Sequence, residues 1–141
     1  MKSGKYKDSF YLRIDRGEEI IGAITKFCTD EQIKAGLISG LGSVSVAELG
    51  LFDIDEKKYI KQEFSGIYEI ASMNGNISEM NNETYLHIHA VLSDRECRAY
   101  GGHFARGMVA ATCEIIIRPI SGNPGRKFDD AIGLNVLDFS D

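Results

Sequence analysis

Three histidines in one short stretch are the residues of this sequence best suited to bind a metal ion. The chain has 141 residues and only 3 histidines. His87 and His89 form an H-x-H pair, and His103 follows two glycines fourteen positions later. Neutral imidazole is a common ligand of zinc and other first-row metals. The cluster therefore predicts a metal site made by His87, His89 and His103.

The H-x-H pair is expected on one face of a β-strand. Alternation along residues 84–92 sends His87 and His89 to one face together with Tyr85 and Val91. The opposite face is uniformly apolar and is expected to face the core; it carries Leu86, Ile88, Ala90 and Leu92. Residues two apart on a strand have Cα atoms about 6.6 to 6.8 Å apart. Both imidazoles can then reach one ion at about 2.0 to 2.1 Å.

The third histidine is expected to come from a turn. Gly101 and Gly102 permit backbone conformations and close approaches that other residues do not, so a turn is predicted to bring His103 above His87 and His89. Three nitrogen ligands with an open fourth position match the zinc sites in which the metal polarises a carbonyl or activates water. The alternative is that the histidines are solvent-facing or hydrogen-bonded strand residues without a metal.

Size and composition predict one folded domain over residues 1–141. Hydrophobic residues make up 43% of the chain and charged residues 26%, with 2 prolines, as in ordinary globular proteins. The net charge of −5 and the pI of about 5.2 do not suggest phosphate binding, because proteins that neutralise phosphates usually carry a basic surface.

The N-terminus and the cysteines favour a cytoplasmic protein. The first ten residues are polar and lack the apolar segment of a signal peptide, and no run of eighteen apolar residues follows. Cys28, Cys97 and Cys113 are odd in number and have no C-x-x-C spacing. They predict reduced cysteines rather than disulfides or a cysteine zinc site.

One helix and several short strands are predicted. Asp15 with Glu18 three positions on resembles a capping box, and apolar residues at helical spacing predict a helix from about Gly17 to Cys28. Strands are predicted at residues 9–14, 35–39, 44–53, 57–64, 66–77, 84–92, 110–119 and 134–137. Turns are predicted at residues 40–42, 53–56, 74–76 and 121–125. The fold class is therefore α+β, an antiparallel or mixed sheet packed with one main helix.

Other charged residues are candidates for a supporting role in the site. Glu48, Glu69 or Glu114 could be a fourth ligand or a general base, or could simply be solvated strand residues. The arginines that flank the histidines could hold a substrate carboxylate or pair with acids at a subunit interface; they are Arg95, Arg98 and Arg106. Residues 40–43 do not complete a G-x-G-x-x-G motif, because Ser45 occupies the last position, and a tight turn is predicted there.

The sequence resembles the plants-and-prokaryotes conserved (PPC) domain family. The resemblance is carried by residues 85–93, Gly101 to Phe104, Ile38 to Ser43 and Gly66 to Ile70, and it spans nearly the whole chain in the expected order. The H-x-H pair with Gly-Gly-His is its most specific element.

The resemblance implies a homotrimer with a fold similar to acetolactate decarboxylase and a metal at His87, His89 and His103. That metal would be zinc or another first-row divalent ion, with a small molecule as its possible ligand. Plant members bind DNA through an Arg-Gly-Arg-Pro AT-hook. This chain lacks one, and Gly125-Arg126-Lys127 is the nearest approach, so direct DNA binding is not expected. Two hypotheses remain at this point: a trimeric metal-binding module, and a metal-dependent lyase or hydrolase acting on a small oxo-acid or ester.

Overall fold

The computed structural model describes residues 1–139 and contains one helix and eight strands. The helix α1 spans Ile20–Asp30. The strands are β1 Lys2–Tyr6, β2 Ser9–Asp15, β3 Gly36–Asp53, β4 Lys58–Met80, β5 Glu83–Ser93, β6 Ala99–Pro119, β7 Gly125–Asp129 and β8 Leu134–Asp138.

The strands pair into one sheet in the order β1-β2-β6-β3-β4-β7-β8, and β5 pairs with both β4 and β6. Because β3 also pairs with β4 and β6, these four strands form a closed circuit of pairings. All pairings are antiparallel except the single parallel contact between β4 and β7. The α+β prediction of a mixed sheet with one main helix is therefore confirmed.

The core lies between the helix and the inner face of the sheet. Ile88, Ala90 and Leu92 of β5 are buried and belong to the same apolar cluster as Ile24 and Phe27 of α1. His87 is half-buried and His89 is exposed. The alternation predicted for β5 is thus confirmed, and burial of this apolar face holds the histidines on the outer side.

The helix begins later than predicted. Gly17 has a φ of +81°, a left-handed conformation that interrupts the chain before the helix. Glu19, not Asp15, is the N-cap: its carboxylate accepts hydrogen bonds from the backbone N–H groups of Ile21 and Gly22. Glu18 accepts a hydrogen bond from the Asp15 backbone N–H at 2.8 Å, so only that half of the predicted capping box forms.

Two predicted turns are wrong, because their residues lie inside long strands. Residues 40–42 belong to β3, where the register shifts by a bulge between Gly40 and Gly42. Residues 74–76 belong to β4. Gly75 is required there by close packing, since a side chain would collide with the carbonyl oxygen of His87 on β5. The glycines thus mark strand contacts rather than chain reversals.

Strand boundaries differ from prediction for the same reason. Each pair of strands predicted within residues 35–53 and 57–77 is one continuous strand. β6 begins at Ala99 rather than at residue 110, and β1 and β7 were not predicted. The turns predicted at residues 53–56 and 121–125 are broadly confirmed: residues 54–57 form a turn, and residues 120–124 lie outside the strands.

The three cysteines are free, as predicted: Cys28 and Cys113 are buried and Cys97 is exposed. No helix within residues 1–139 has the length and apolar character needed to span a membrane.

Candidate metal centre

Two adjacent strands position the three histidines. His87 and His89 lie on β5, and His103 lies on β6 directly opposite His89 in the antiparallel ladder. Directly opposed residues share one face of a sheet. On the other side of β5, His89 and His87 are opposite Asn74 and Asn76 of β4. The sheet register therefore brings the predicted residues together.

The imidazoles form a nearly equilateral triangle. Ring centroids are 5.1 Å apart for His87 and His89, 5.4 Å for His87 and His103, and 5.7 Å for His89 and His103. One nitrogen from each ring lies within 4.8 Å of the others. Tetrahedral zinc with bonds of about 2.0 to 2.1 Å needs nitrogens about 3.3 Å apart. The nitrogens would therefore have to move closer, by at most about 1.5 Å, for all three to bind one zinc ion.

One ring nitrogen lacks the partner that a buried polar atom normally has. Nδ1 of His103 is buried and makes no hydrogen bond to any residue that the structure describes. Buried polar atoms without a partner are rare, since each costs free energy. The donor set therefore fits a metal ion, which accepts the lone pairs of neutral imidazoles.

The surroundings of His87 and His103 favour their neutral forms. Burial lowers the pKa of His103 to about 4, with further contributions from His87, His89 and Lys61. Burial also lowers the pKa of His87, assisted by His89 and Arg126. Because neutral imidazole is the form that binds metals, these two rings are ready to coordinate at neutral pH.

His103 is placed by a strand rather than by the predicted turn. Gly101 and Gly102 continue β6, and Gly102 lies against β3: a Cβ atom there would be 2.8 Å from the carbonyl oxygen of Gly50. Gly50 is also the ladder partner of His103. The glycine is thus needed for close strand packing beside His103.

The predicted carboxylates do not join the histidines. Glu48 pairs with Lys61 at 2.8 Å, Glu69 is exposed on β4, and Glu114 is exposed near the other end of β6 from His103. Within residues 1–139, no aspartate or glutamate belongs to the histidine cluster. The prediction that one of these three glutamates assists the site is not supported by their positions.

The predicted arginines lie elsewhere as well. Arg98 pairs with Asp94 and Glu96, and Arg106 pairs with Glu63. Arg95 is exposed, and none of the three arginines borders the cleft beside the histidines. They are therefore placed for surface pairing rather than for holding a ligand at this site.

A cleft of about 1000 Å³ lies beside the histidines, and it is lined by further residues that were not predicted from the sequence. The Tyr59 ring lies 4.9 Å from the His103 ring, between centroids. Burial, with a smaller effect of Tyr85, raises the pKa of the Tyr59 hydroxyl. Lys61 and Leu134 also border the cleft, along with Leu51, Phe52, Ile60 and Tyr100.

These residues reach the site through strand pairing. Gly50 of β3 is opposite both His103 and Lys61, so Lys61 lies two strands from His103 on the same face. Nothing in the local sequence signals this register. A correct pairing of residues 44–53 with 57–64 would have revealed it.

Comparison with known proteins gives a consistent family assignment. The model of the Plants and Prokaryotes Conserved (PCC) domain, the family abbreviated PPC above, matches residues 1–121. A solved structure of a metal-containing protein from Archaeoglobus fulgidus is 35% identical, with a TM-score of 0.87 over 96% of this chain and 94% of that one. A protein from Bacteroides thetaiotaomicron, provisionally described as DNA-binding, is 28% identical, with a TM-score of 0.96 over 99% and 98%.

Two further proteins are similar to this chain in fold or in part of the sequence. Acetolactate decarboxylase from Bacillus subtilis has a TM-score of 0.58 at 17% identity over 82% of this chain and 54% of that one, a likeness of fold alone. The bifunctional protein GlmU of a Synechococcus strain is 27% identical over 108 residues, which are 75% of this chain but 16% of that protein. This chain therefore spans a small part of that relative. The match of the family model to residues 1–121 shows that the chain belongs to the Plants and Prokaryotes Conserved domain family.

Proposed function

We propose that this protein is a homotrimeric PPC-domain protein that binds one divalent metal ion per chain through His87, His89 and His103. The observation that carries the proposal is the convergence of one nitrogen from each ring within 4.8 Å, on a sheet face next to a cleft. The 35%-identical relative from Archaeoglobus fulgidus, which is described as metal-containing, supports it.

The donor set suits zinc or another first-row divalent ion. Three imidazoles do not select among zinc, iron and nickel. With three protein ligands, the bound ion would act as a Lewis acid at an open coordination position.

The chain's own residues would bind and orient a small molecule at that position. The Tyr59 hydroxyl is protonated at neutral pH, as tyrosine ordinarily is, and burial raises its pKa further, so it can donate a hydrogen bond. Lys61 also borders the cleft, and its ammonium group, which pairs with Glu48 at 2.8 Å, would bind an anionic group by exchanging that surface pair for the ligand. The apolar side chains around them would exclude water from the ligand.

A second candidate function, a metal-dependent lyase or hydrolase acting on a small oxo-acid or ester, is favoured by the cleft. An enzyme would need a group that transfers a proton. No carboxylate joins the histidines within the described part of the chain. The proton donors that border the cleft are Tyr59, whose ring lies 4.9 Å from the His103 ring between centroids, and Lys61.

Exposed apolar side chains on the outer face of the sheet support assembly with other copies of this chain. One line of ladder partners runs from His89 through Asn74, Ser39 and Ile116 to Tyr11. Tyr11 and Ile116 on this line are exposed, as are Leu37 and Leu41 on the same strand as Ser39. Exposed apolar patches of this kind are typical of protein interfaces.

Direct DNA binding is not part of the proposal. The net charge is −5, and Arg126, the arginine of the sequence closest to an AT-hook, is held by hydrogen bonds within the fold. DNA-binding surfaces need basic groups free to contact phosphates.

Metal content and mass test the proposal. Untagged protein purified without chelator should contain about one metal ion per chain, and His87→Ala or His103→Ala should remove it. Tyr59→Phe, which changes a cleft residue outside the ligand set, should retain the metal. Light scattering should give about 47 kDa, the mass of three 15.6 kDa chains. Wild-type protein that is metal-free and does not take up added zinc would refute the metal site, and a monomeric mass would refute the trimer.

A further inference from the structure

The C-terminal hairpin formed by β7 and β8 lies outside the part of the chain that matches the family model, residues 1–121. It nevertheless reaches the cleft. Its turn contacts the turn between β3 and β4: Nζ of Lys57 donates a hydrogen bond to the backbone oxygen of Asp130 at 2.6 Å. A Cβ atom at Gly133 would lie 3.0 Å from Cβ of the same lysine. The first residue of β8, Leu134, borders the cleft.

Arg126 fastens the base of this hairpin to the strands that carry the site. Its guanidinium donates to the Ser78 hydroxyl at 2.8 Å, to the Asn76 side-chain oxygen at 2.9 Å and to the Asn135 backbone oxygen at 2.8 Å. It also lies over the Tyr85 ring, 4.6 Å from the centroid. One side chain thus joins β7 to β8, β4 and β5.

These partners lie next to the histidines. Asn76 is the ladder partner of His87, and Tyr85 precedes His87 by two residues on the same strand face. Ser78 is fully buried. Because Arg126 is held by three hydrogen bonds and a ring contact, the hairpin has a defined position relative to His87.

The composition of the cleft indicates what it would hold. The side chains that border it are mainly apolar, with Leu134 joined by residues such as Leu51, Phe52 and Ile60. Lys61 is the one lysine or arginine among them, and its partner at 2.8 Å, Glu48, does not itself border the cleft. Three neutral imidazoles leave the double charge of a divalent ion uncompensated, which favours an anionic ligand.

We propose that the β7–β8 hairpin is the wall of the cleft that selects the ligand, that this ligand is a small organic anion with an apolar body, and that Arg126 is the residue that positions the wall. The inference rests on the proposed metal site. Leu134 contacts the apolar body of the ligand, and the anionic head binds the metal close to Lys61.

Two hydroxamates with the same metal-binding head separate the role of the wall from that of the metal. Calorimetry on the zinc-loaded full chain compares acetohydroxamate, which has a methyl body, with benzohydroxamate, which has a phenyl body. Benzohydroxamate should bind more tightly to the wild type. Leu134→Ala should weaken benzohydroxamate by about five- to ten-fold, because contact with several carbon atoms is lost, and should change acetohydroxamate by less than about two-fold.

The hairpin supplies its own matched control. Leu137 lies on the same strand, three residues beyond Leu134, and borders a different surface depression. Leu137→Ala should therefore keep the wild-type ratio of the two affinities. Arg126→Ala and Arg126→Lys should lower the ratio as Leu134→Ala does, with zinc content unchanged, since lysine retains the charge but not the planar set of donors.

The outcomes distinguish the two proposals. If the wild type does not load zinc, the metal site is refuted and this inference falls with it. If zinc loads but the wild type does not prefer benzohydroxamate, or Leu134→Ala keeps the wild-type ratio, the wall is refuted and the metal site stands. If the Arg126 variants do not fold, the comparison of Leu134→Ala with Leu137→Ala decides the role of the wall.

Discussion

The paired glycines before His103 allow a sharp test of how the site is built. Adding one methyl group at Gly102 places a carbon atom 2.8 Å from the carbonyl oxygen of Gly50, well inside ordinary contact distance. Adding one at Gly101 meets Val91 at 3.6 Å and the backbone oxygen of Ala90 at 3.7 Å, which are normal contacts. Gly102→Ala must push β6 away from β3, whereas Gly101→Ala fits.

The size of the effect follows from the overlap. The obstacle at Gly102 is the backbone of Gly50, at the last pair of the β3–β6 ladder, and it cannot rotate away as a side chain could, so the cost is that of overpacking, about 1 to 3 kcal/mol. For a chain of 141 residues, 1 kcal/mol corresponds to about 3 °C in melting temperature. Gly102→Ala should therefore lower the melting temperature by about 3 to 10 °C, and Gly101→Ala should leave it within about 2 °C.

Metal affinity should change with the same pattern. Gly50 is the ladder partner of His103, so moving the strands apart displaces that imidazole relative to His89. We expect zinc affinity, measured by competition with a chromophoric chelator, to fall about tenfold or more in Gly102→Ala and to be retained in Gly101→Ala. Melting is followed by circular dichroism on metal-free protein. Equal melting temperatures and equal zinc affinities for the two variants would refute the close approach of β6 and β3 as the reason for glycine at position 102.

Two further predictions follow from the pKa shifts. Because the pKa of His103 is lowered to about 4 in the folded chain, the unfolded chain binds more protons between about pH 6.5 and pH 4. The urea midpoint of metal-free protein should therefore fall as the pH is lowered through this window, and it should fall less in His103→Gln. Parallel pH profiles of the urea midpoint for the two proteins would contradict the burial of this imidazole. Burial raises the pKa of Cys28 and Cys113 to about 12, with a further contribution from Glu114 at Cys113, whereas Cys97 is exposed. One cysteine per folded chain should thus react rapidly with iodoacetamide at pH 8, and Cys97→Ser should abolish that fast phase while leaving the two slow ones, as mass spectrometry can measure.

The histidine site was predictable because its main determinant is local. Alternation of apolar and polar residues in 84–92 places His87 and His89 on the outer face, and burial of Ile88, Ala90 and Leu92 enforces that orientation. The position of His103 opposite His89 is a property of the β5–β6 register. Sequence indicated that His103 belongs with the pair, but its placement by a strand was missed.

The wrongly predicted turns share one physical origin, which is the double role of glycine in this sheet. Gly75 and Gly102 have no side chain because a neighbouring strand lies too close. A single sequence does not distinguish that requirement from the demand for a turn, so long strands were divided into short ones. The cleft residues Tyr59, Lys61 and Leu134 were missed for a related reason: each reaches the site through pairings or turn contacts between segments far apart in sequence.

The histidines lie where two strands complete the closed circuit of β3, β4, β5 and β6. The ladder that completes the circuit is short, pairing residues 89–93 with residues 99–103, and His89 with His103 is its last pair. An ion bound by these two side chains and His87 would cross-link β5 to β6 at the end of their ladder, beyond which the two strands have no further ladder partners. Metal binding would then oppose separation of β5 from β6, so the free energy of unfolding would depend on the concentration of available metal.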